Sequence, residues 1–193
     1  MTKALILKEA LELFTSKGYE GTSMDDIAKA VGIRKASLYS HFTGKESIFS
    51  AIFVDILVEY TDYVDKLTNV DETDDVVDHL KRIFTDFILY CHNNLKMYFW
   101  DRYFYYPPDF LASYIRERTY ETQQVFIDRI CMLLEKGIRD KKIKNLPVRD
   151  LALSYYYLMI GISMSVKMYE EAELRQDIEH ALNGLIQGFI VSE

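Results

Sequence analysis

The sequence predicts an all-α fold of about nine helices. Only eight Gly and three Pro occur among 193 residues, so few positions favour turns. Apolar residues recur at the i, i+3, i+4, i+7 spacing of helices along the chain, and no segment reads convincingly as a strand. Since 49% of the residues are hydrophobic, the composition excludes a disordered chain.

Two helices are predicted in the first 32 residues. Leu7, Ala10, Leu11 and Phe14 form the apolar stripe of the first helix, and Gly18 stands where it ends. Ser23 is a predicted N-cap of the second helix, because the acidic Asp25 and Asp26 follow in its first turn. Gly32 then allows the left-handed backbone of a sharp turn.

A short third helix is predicted from Lys35 to Phe42. Its Leu38 and Phe42 point inward and complete a small core with the second helix. Ala36 and Ser40 then point away from that core, because side chains follow the 3.6-residue turn. The expected core residues are Ile27, Ala28, Val31, Ile33, Leu38 and Phe42.

The remaining helices follow from capping signals and apolar stripes. A capping box of Thr43 and Glu46 predicts that a long helix begins near Lys45. The polar, acidic stretch at residues 66–75 predicts a break between two regions. Later helices are predicted over 76–91, 109–140, 148–169 and 172–191, with an aromatic-rich segment before Pro107 and Pro108.

The charge distribution separates the start of the chain from the rest. The formal net charge is −7, yet four basic residues and no acidic ones occur from Ile27 to Lys45. Such an asymmetry favours a nucleic-acid contact in this segment. The outward ridge of the third helix is small at its crest and polar on its sides, as a helix that enters the major groove requires.

Each polar residue around that ridge has an expected partner. Lys35 and Ser37 can donate to bases or phosphates, while Tyr39 and His41 diverge towards the DNA backbones. Lys45, together with the free amides at the start of its helix, suits a phosphate.

The stretch "ALELFTSKGYEGTSMDDIAKAVGIRKASLYSHFTGKESIF" resembles the TetR family of transcriptional regulators. The resemblance covers about the first quarter of the chain. It implies a three-helix helix-turn-helix DNA-binding domain at residues 1–46, followed by a helical ligand-binding and dimerisation domain at residues 47–193. It also implies a role as a repressor, which is the usual role in the family.

The resemblance also implies roles for individual residues. Those expected in the groove are Lys35, Ala36, Ser37 and Ser40, and those expected to hold phosphates are Thr22, Tyr39, His41 and Lys45. The sequence departs from the family at Arg34, where Ser is frequent, so the cap of the third helix is weakened.

Residues 98–110 hold eight of the 27 aromatic residues of the chain. Trp100, Tyr103 and Tyr106 are spaced at i, i+3 and i+6 and are expected to share one helix face, with Asp101 among them. One interpretation is a pocket for an apolar or cationic ligand, in which tyrosine faces and Asp101 support a cation. The other is that these side chains are ordinary core or interface.

The last two helices are the predicted homodimer interface. The segment Leu151–Val166 is uncharged and apolar on most sides, and its Gly161 and Ser163 allow close approach. Gly184, Leu185 and Phe189 add to this surface from the final helix, although an intrachain core explains the same pattern. A two-fold dimer is expected because one such DNA-binding unit supplies little specificity alone.

Two other classes of protein are alternatives to a DNA-binding regulator. An all-helical enzyme is disfavoured, because the sequence has no paired Glu-x-x-His motif, phosphate loop, nucleophile elbow or cysteine zinc spacing. We therefore expect no catalytic residue, metal or cofactor, and no contact with a membrane. The other class is a helical small-molecule-binding or adaptor protein without DNA binding.

For a regulator, the expected partners are double-stranded operator DNA and a small effector. The expected location is the cytoplasm of the cell, where Cys91 and Cys131 are reduced.

Overall fold

A computed structural model describes residues 3–69 and 75–191, and over these ranges it confirms the all-α prediction. The α-helices are α1 Lys3–Lys17, α2 Met24–Val31, α3 Lys35–Tyr39, α4 Lys45–Thr68, α5 Val76–His92, α6 Leu95–Tyr105, α7 Ala112–Arg139, α8 Val148–Ser165 and α9 Glu171–Phe189. Short 3-10 helices at Asp109–Leu111 and Val166–Met168 accompany them. Half of the predicted acidic break, residues 70–74, lies outside the described residues.

The predicted signals at the ends of α1 and α2 are confirmed. The Ser23 hydroxyl accepts a hydrogen bond from the Asp26 amide, and the Asp26 carboxylate accepts one from the Ser23 amide. The Ser23 hydroxyl also donates to this carboxylate, and these bonds lower the pKa of Asp26. Gly18 and Gly32 have φ angles of 83° and 74°, so both take the left-handed backbone that ends a helix.

The predicted end of α3 and the predicted cap of α4 are wrong. Helix α3 ends at Tyr39, although hydrogen bonds from the amides of His41 and Phe42 to the Leu38 carbonyl continue its turn. Helix α4 begins at Lys45 without the predicted pair of Thr43 and Glu46 at its start. Instead, the Ser47 hydroxyl accepts a hydrogen bond from the Gly44 amide and donates one to the Gly44 carbonyl.

One compact unit contains residues 3–62 and 94–118. Aromatic rings form much of its core: Phe49 lies 5.4 Å from Phe14, 5.0 Å from Phe99 and 4.7 Å from Tyr103, measured between ring centres. Helix α6 therefore packs beside α1 and the first turns of α4. The stripe on α1 is shifted from the prediction, because Ile6 rather than Leu7 is fully buried.

The other compact unit contains residues 63–69, 75–93 and 119–191. Tyr155 of α8 is fully buried against α5, where its hydroxyl donates to the Leu80 carbonyl at 2.6 Å. An isolated antiparallel bridge pairs Ile143 with Ile190 and ties the chain after α9 to the loop after α7. In the same unit, the imidazole of the buried His79 lies 3.2 Å from the Leu67 carbonyl oxygen.

The boundary between these compact units does not fall at residue 46. The first unit continues along α4 to residue 62 and also includes α6. The division into a DNA-binding domain at 1–46 and a ligand-binding domain at 47–193 is functional and stays a prediction. In the part of the chain that the structure describes, no helix is long and apolar enough to cross a membrane.

Candidate nucleic-acid interface

Helices α2 and α3 meet at a sharp turn around a small apolar core. Leu38 is fully buried, and Ile27, Ala28, Val31 and Phe42 are also buried, as predicted. Ile33 is only half-buried, because it lies in the turn itself. This packing fixes the orientation of α3, which we call the recognition helix.

The outer surface of the recognition helix is formed by the residues that were predicted to face outward. Ala36 and Ser40 are exposed, as are Lys35, Ser37 and His41. Tyr39 is 49% exposed. The Ser40 hydroxyl donates to the Ser37 carbonyl at 2.7 Å, so its oxygen remains available as an acceptor. A small crest with polar sides therefore faces solvent.

The start of the recognition helix carries two adjacent cations. Arg34 is its N-cap residue and makes no side-chain capping hydrogen bond, which agrees with the expected weak cap. Arg34 and Lys35 are both exposed at this end of the helix. At the other end, Lys3 of α1 lies with its Nζ 5.1 Å from the centre of the Phe42 ring. The sequence does not indicate this third cation, because Lys3 is distant from α3 along the chain.

Thr22 differs from the other candidate residues because it is only 1% exposed. Its hydroxyl lies 2.8 Å from the Gly18 carbonyl oxygen and 3.3 Å from that of Leu13, to which it can donate. The proton of this hydroxyl is thus used inside the protein. A phosphate contact by Thr22 stays a prediction, and the structure gives Thr22 a part in holding the turn after α1.

Lys45 also binds the turn after α1. Its Nζ donates to the Tyr19 carbonyl at 2.7 Å and lies 4.0 Å from the centre of the Tyr19 ring. Burial raises the pKa of the Tyr19 hydroxyl to about 12, so this group stays protonated at neutral pH. The predicted phosphate contact of Lys45 remains a prediction.

The end of α1 accepts two further hydrogen bonds, both from α6. Arg102 Nη1 donates to the Thr15 carbonyl at 3.0 Å, and the Tyr103 hydroxyl donates to the Phe14 carbonyl at 2.9 Å. The last carbonyls of a helix have no partner within the helix, and cations near them are favourable. These contacts could not be predicted from the sequence, because Arg102 and Thr15 are 87 positions apart and Tyr103 and Phe14 are 89 positions apart.

Comparison with known proteins identifies this part of the chain. Residues 6–52 match the family described as bacterial regulatory proteins, tetR family. Over 47 residues the chain is 57% identical to the biofilm operon icaADBC HTH-type negative transcriptional regulator IcaR of Staphylococcus aureus strain Newman. Residues 6–52 therefore resemble the DNA-binding segment of TetR-family regulators. The match covers 24% of this chain and 25% of IcaR, so the chain spans about a quarter of the length of the curated relatives it matches.

Two solved structures of regulators share the fold over nearly the whole chain. A TetR transcriptional regulator from Chloroflexus aurantiacus has a TM-score of 0.74 and 22% identity, covering 97% of this chain and 95% of that one. The fatty acid degradation regulator FadR from Bacillus halodurans has a TM-score of 0.70 and 18% identity, covering 96% and 94%. At these identities the likeness shows the fold alone.

The predicted aromatic face on α6 is wrong in its geometry. Trp100 lies between two rings of α4, stacked at 5.3 Å on Phe53 and 5.6 Å on Tyr60. Tyr103 is buried towards Phe14, whereas Tyr106 lies beyond the helix end and is 81% exposed. At 3.6 residues per turn, positions i and i+6 are about 120° apart, so the three residues do not line one wall.

Asp101 is half-buried on the same helix, and its predicted role in supporting a cation stays a prediction. Tyr103 has a hydroxyl whose pKa burial raises to about 12, so it stays a donor. Among the described residues, no group of three or more His, Cys, Asp or Glu side chains is placed to hold a metal ion.

Proposed function

We propose that this protein is a TetR-family transcriptional repressor that binds a palindromic operator as a homodimer and is released by a small apolar or cationic ligand. The observation that carries the proposal is the recognition helix, whose small Ala36 and Ser40 are exposed while Leu38 is fully buried. A helix with such a crest fits the major groove.

Base and phosphate contacts are divided along this helix. In the proposal, Lys35, Ala36, Ser37 and Ser40 lie in the groove, where Lys35 and Ser37 donate to base edges. The flanking Tyr39 and His41 contact the backbone phosphates, together with Lys45 and the corner at Thr22. Phosphate contacts fix the register of the protein on DNA, and base contacts supply the sequence preference.

Repression is proposed from the likeness to IcaR, which is named a negative transcriptional regulator. The 57% identity falls on the DNA-binding segment, so it supports the mode of DNA contact more directly than the outcome. A repressor would act by occupying DNA that a promoter needs.

The dimer is proposed to form through the outer faces of α8 and α9. Tyr157, Gly161 and Met164 are exposed at i, i+4, i+7 spacing on α8, and Gly184 is exposed on α9. A Cβ built on Gly161 or Gly184 meets no atom within 4 Å, so these faces are open in one chain. Ser163 and Phe189 are buried within the chain, although both were predicted to lie in the interface.

Release by an effector is proposed to act through α6 and α4. Helix α6 is tied to α4 by Trp100 and to the end of α1 by Arg102, so a shift of α6 would move α1 and the start of α4. Two recognition helices in a dimer must be about 34–36 Å apart to enter successive major grooves. A small change in their separation therefore weakens operator binding.

The proposal includes a cytoplasmic protein that has no catalytic role and needs no cofactor or metal. The relatives named above are regulators rather than enzymes. The alternative is a helical small-molecule-binding or adaptor protein without DNA binding, and it would apply if no duplex were bound.

A gel shift at about 0.15 M salt tests the proposal, with the DNA upstream of the protein's own gene and an unrelated duplex of equal length. Ala36→Glu should weaken operator binding by at least about 100-fold, because a negative charge facing DNA costs several kcal/mol. Ser113→Glu, at an exposed position on α7, is the matched control and should bind normally. Equal binding of both duplexes, or normal binding by Ala36→Glu, would contradict the proposal.

A further inference from the structure

A cavity of about 310 Å³ lies between the turn after α1 and the end of α6. Both of its walls belong to the same compact unit. Its lining includes Lys17, Glu20, Arg102, Tyr103, Tyr106 and Asp109. The volume is at the small end of the range for ligand sites, so it suits a ligand of few atoms.

The charged residues around this cavity are two cations and two carboxylates. Lys17 and Arg102 carry the positive charges, and Glu20 and Asp109 carry the negative ones. None of the four forms an ion pair with another described residue. Charges of both signs thus surround one small cavity without neutralising each other by contact.

The apolar part of the lining is aromatic and proline-rich. Tyr103 is buried and Tyr106 is 81% exposed, while Pro107 and Pro108 follow directly in the chain. Aromatic and proline surfaces of this kind favour a flat apolar group.

We propose that this cavity binds a small zwitterion, an amino acid with an aromatic side chain. Such a ligand has the apolar ring and the cationic group of the effector in the proposed function, and it carries a carboxylate as well. Its carboxylate pairs with Arg102 and Lys17, since guanidinium groups bind carboxylates through two parallel hydrogen bonds. Its ammonium group pairs with Glu20 and Asp109, and its ring lies against Tyr106 and the prolines. A ligand with only one charge leaves one pair of rim charges without a partner.

Arg102 connects the cavity to the DNA-binding helices. Its Nη1 donates to the Thr15 carbonyl at the end of α1, and a Cβ built on Gly18 would lie 2.7 Å from its Nη2. A bound carboxylate competes with the neutral Thr15 carbonyl for this guanidinium, and a charge-assisted hydrogen bond is the stronger of the two. The ligand therefore loosens the contact between α6 and α1, and this step rests on the proposed function.

Isothermal titration calorimetry of the full chain with L-phenylalanine tests the binding step. L-phenylalanine should bind with a Kd at or below about 1 mM. N-acetyl-L-phenylalanine lacks the ammonium group and L-phenylalaninamide lacks the carboxylate, so each should bind at least about tenfold more weakly. Absence of heat with L-phenylalanine, L-tyrosine and L-tryptophan up to about 10 mM would overturn the proposal. Equal binding of the N-acetyl compound would also overturn it.

Variants locate the site. Arg102→Gln and Asp109→Asn should each weaken L-phenylalanine binding by at least about tenfold. Arg116→Gln, at an exposed position on α7, is the control for Arg102→Gln and should bind as the unmodified protein does. Asp109→Asn changes only the charge of an exposed side chain, so normal binding by this variant would contradict the site even if Arg102→Gln folded poorly.

A gel shift separates the ligand site from the proposed function. L-phenylalanine at saturation should weaken operator binding by at least about fivefold, a typical coupling between two sites. If DNA binds and the amino acid does not, the ligand site is wrong and the regulator stands. If the amino acid binds and no duplex does, the regulator is wrong and the ligand site stands.

Discussion

Arg34 occupies the position at which the recognition helix would gain most from a capping side chain. The helix has only five residues, and no side-chain bond satisfies the amides at its start. A cation at the start of a helix is also unfavourable with respect to the helix dipole. A residue that costs stability here is consistent with a contact outside the protein.

Replacing Arg34 tests the trade between stability and binding. Arg34→Ser should stabilise the protein by about 0.5–1 kcal/mol, because serine caps helices and arginine does not. Urea unfolding measures the change in free energy. If Arg34 contacts the DNA backbone, the same variant weakens operator binding, and its salt dependence falls by about one unit of slope. Arg116→Ser, at an exposed residue of α7, is the control for an unspecific loss of charge.

Lys35 and Lys45 illustrate two roles for a lysine near DNA. Lys35 is exposed, whereas Lys45 donates to the Tyr19 carbonyl and lies over its ring. Both lysines lie in the segment from Ile27 to Lys45 that has no acidic residue. Only the structure shows that their surroundings differ.

Removing each lysine should therefore have different effects. Lys45→Gln should lower the free energy of unfolding by about 1 kcal/mol, since a hydrogen bond and a cation–ring contact are lost. Lys35→Gln should leave the stability unchanged and weaken DNA binding. Thermal unfolding and gel shifts on both variants measure these effects. Equal stability of the two variants would show that the Lys45 contacts contribute nothing.

At the scale of the element, α6 is held by contacts on two sides. Trp100 lies between Phe53 and Tyr60, which are seven residues or about 10.5 Å apart along α4. Lys96, one turn earlier, pairs with Asp55 at 2.9 Å and also with Glu59. The aromatic sandwich and the ion pairs together fix α6 in register with α4.

Trp100→Ala should destabilise the protein by about 3 kcal/mol, because it removes a large ring from between two others. Trp100→Phe keeps a flat ring in the gap and should cost less than half of this amount. Urea unfolding of the two variants measures the difference. A cost below about 1 kcal/mol for Trp100→Ala would mean that Phe53 and Tyr60 close the gap.

The start of α5 carries a carboxylate, that of Asp75, whose pKa is lowered. The Asp75 carboxylate accepts hydrogen bonds from the amides of Val77 and Asp78 and pairs with Lys142. The Lys142 hydrogen bond, followed by these amides, lowers the pKa of Asp75. A lowered pKa stabilises the folded protein above the unfolded value of about 3.9, and this contribution is lost as the pH falls through the folded value.

Unfolding measured between pH 7 and pH 3 should therefore show a smaller loss of stability for Asp75→Asn than for the unmodified protein. Asparagine keeps a capping side chain but has no charge to titrate. The difference should be confined to pH below about 4. An identical pH dependence for both proteins would show that Asp75 does not contribute to it.

Most helices could be predicted from the sequence, because apolar periodicity is local and strong from α1 to α9. Their ends were less predictable: α3 ends at Tyr39 because the turn beyond it is bonded back only to Leu38. The exposed crest of Ala36 and Ser40 followed from helix geometry once Leu38 was placed inward. Contacts between helices could not be predicted, since the stacking of Trp100 and the donor role of Arg102 depend on which faces meet.

At the scale of the whole molecule, the open faces of α8 and α9 determine whether two copies can assemble. Gly184→Arg should be tolerated by a single chain, because no atom lies within 4 Å of the Cβ position. In a dimer built on this face, the new side chain has no room, so the protein becomes monomeric. Analytical ultracentrifugation measures the mass.

The same variant should also lose operator affinity, since one recognition helix alone reads only half of a palindrome. Ser113→Arg adds the same side chain at an exposed position of α7 and should leave the mass unchanged. A dimer that survives Gly184→Arg would place the interface on another face.

Trp100 is the single tryptophan of the chain. Because its indole is stacked between Phe53 and Tyr60, its ultraviolet emission spectrum depends on the distance between α4 and α6. Any molecule that separates these helices admits water to the indole and shifts the emission to longer wavelength. The protein thus carries a built-in optical reporter of any separation between α4 and α6, and no dye or label is needed to follow it in real time.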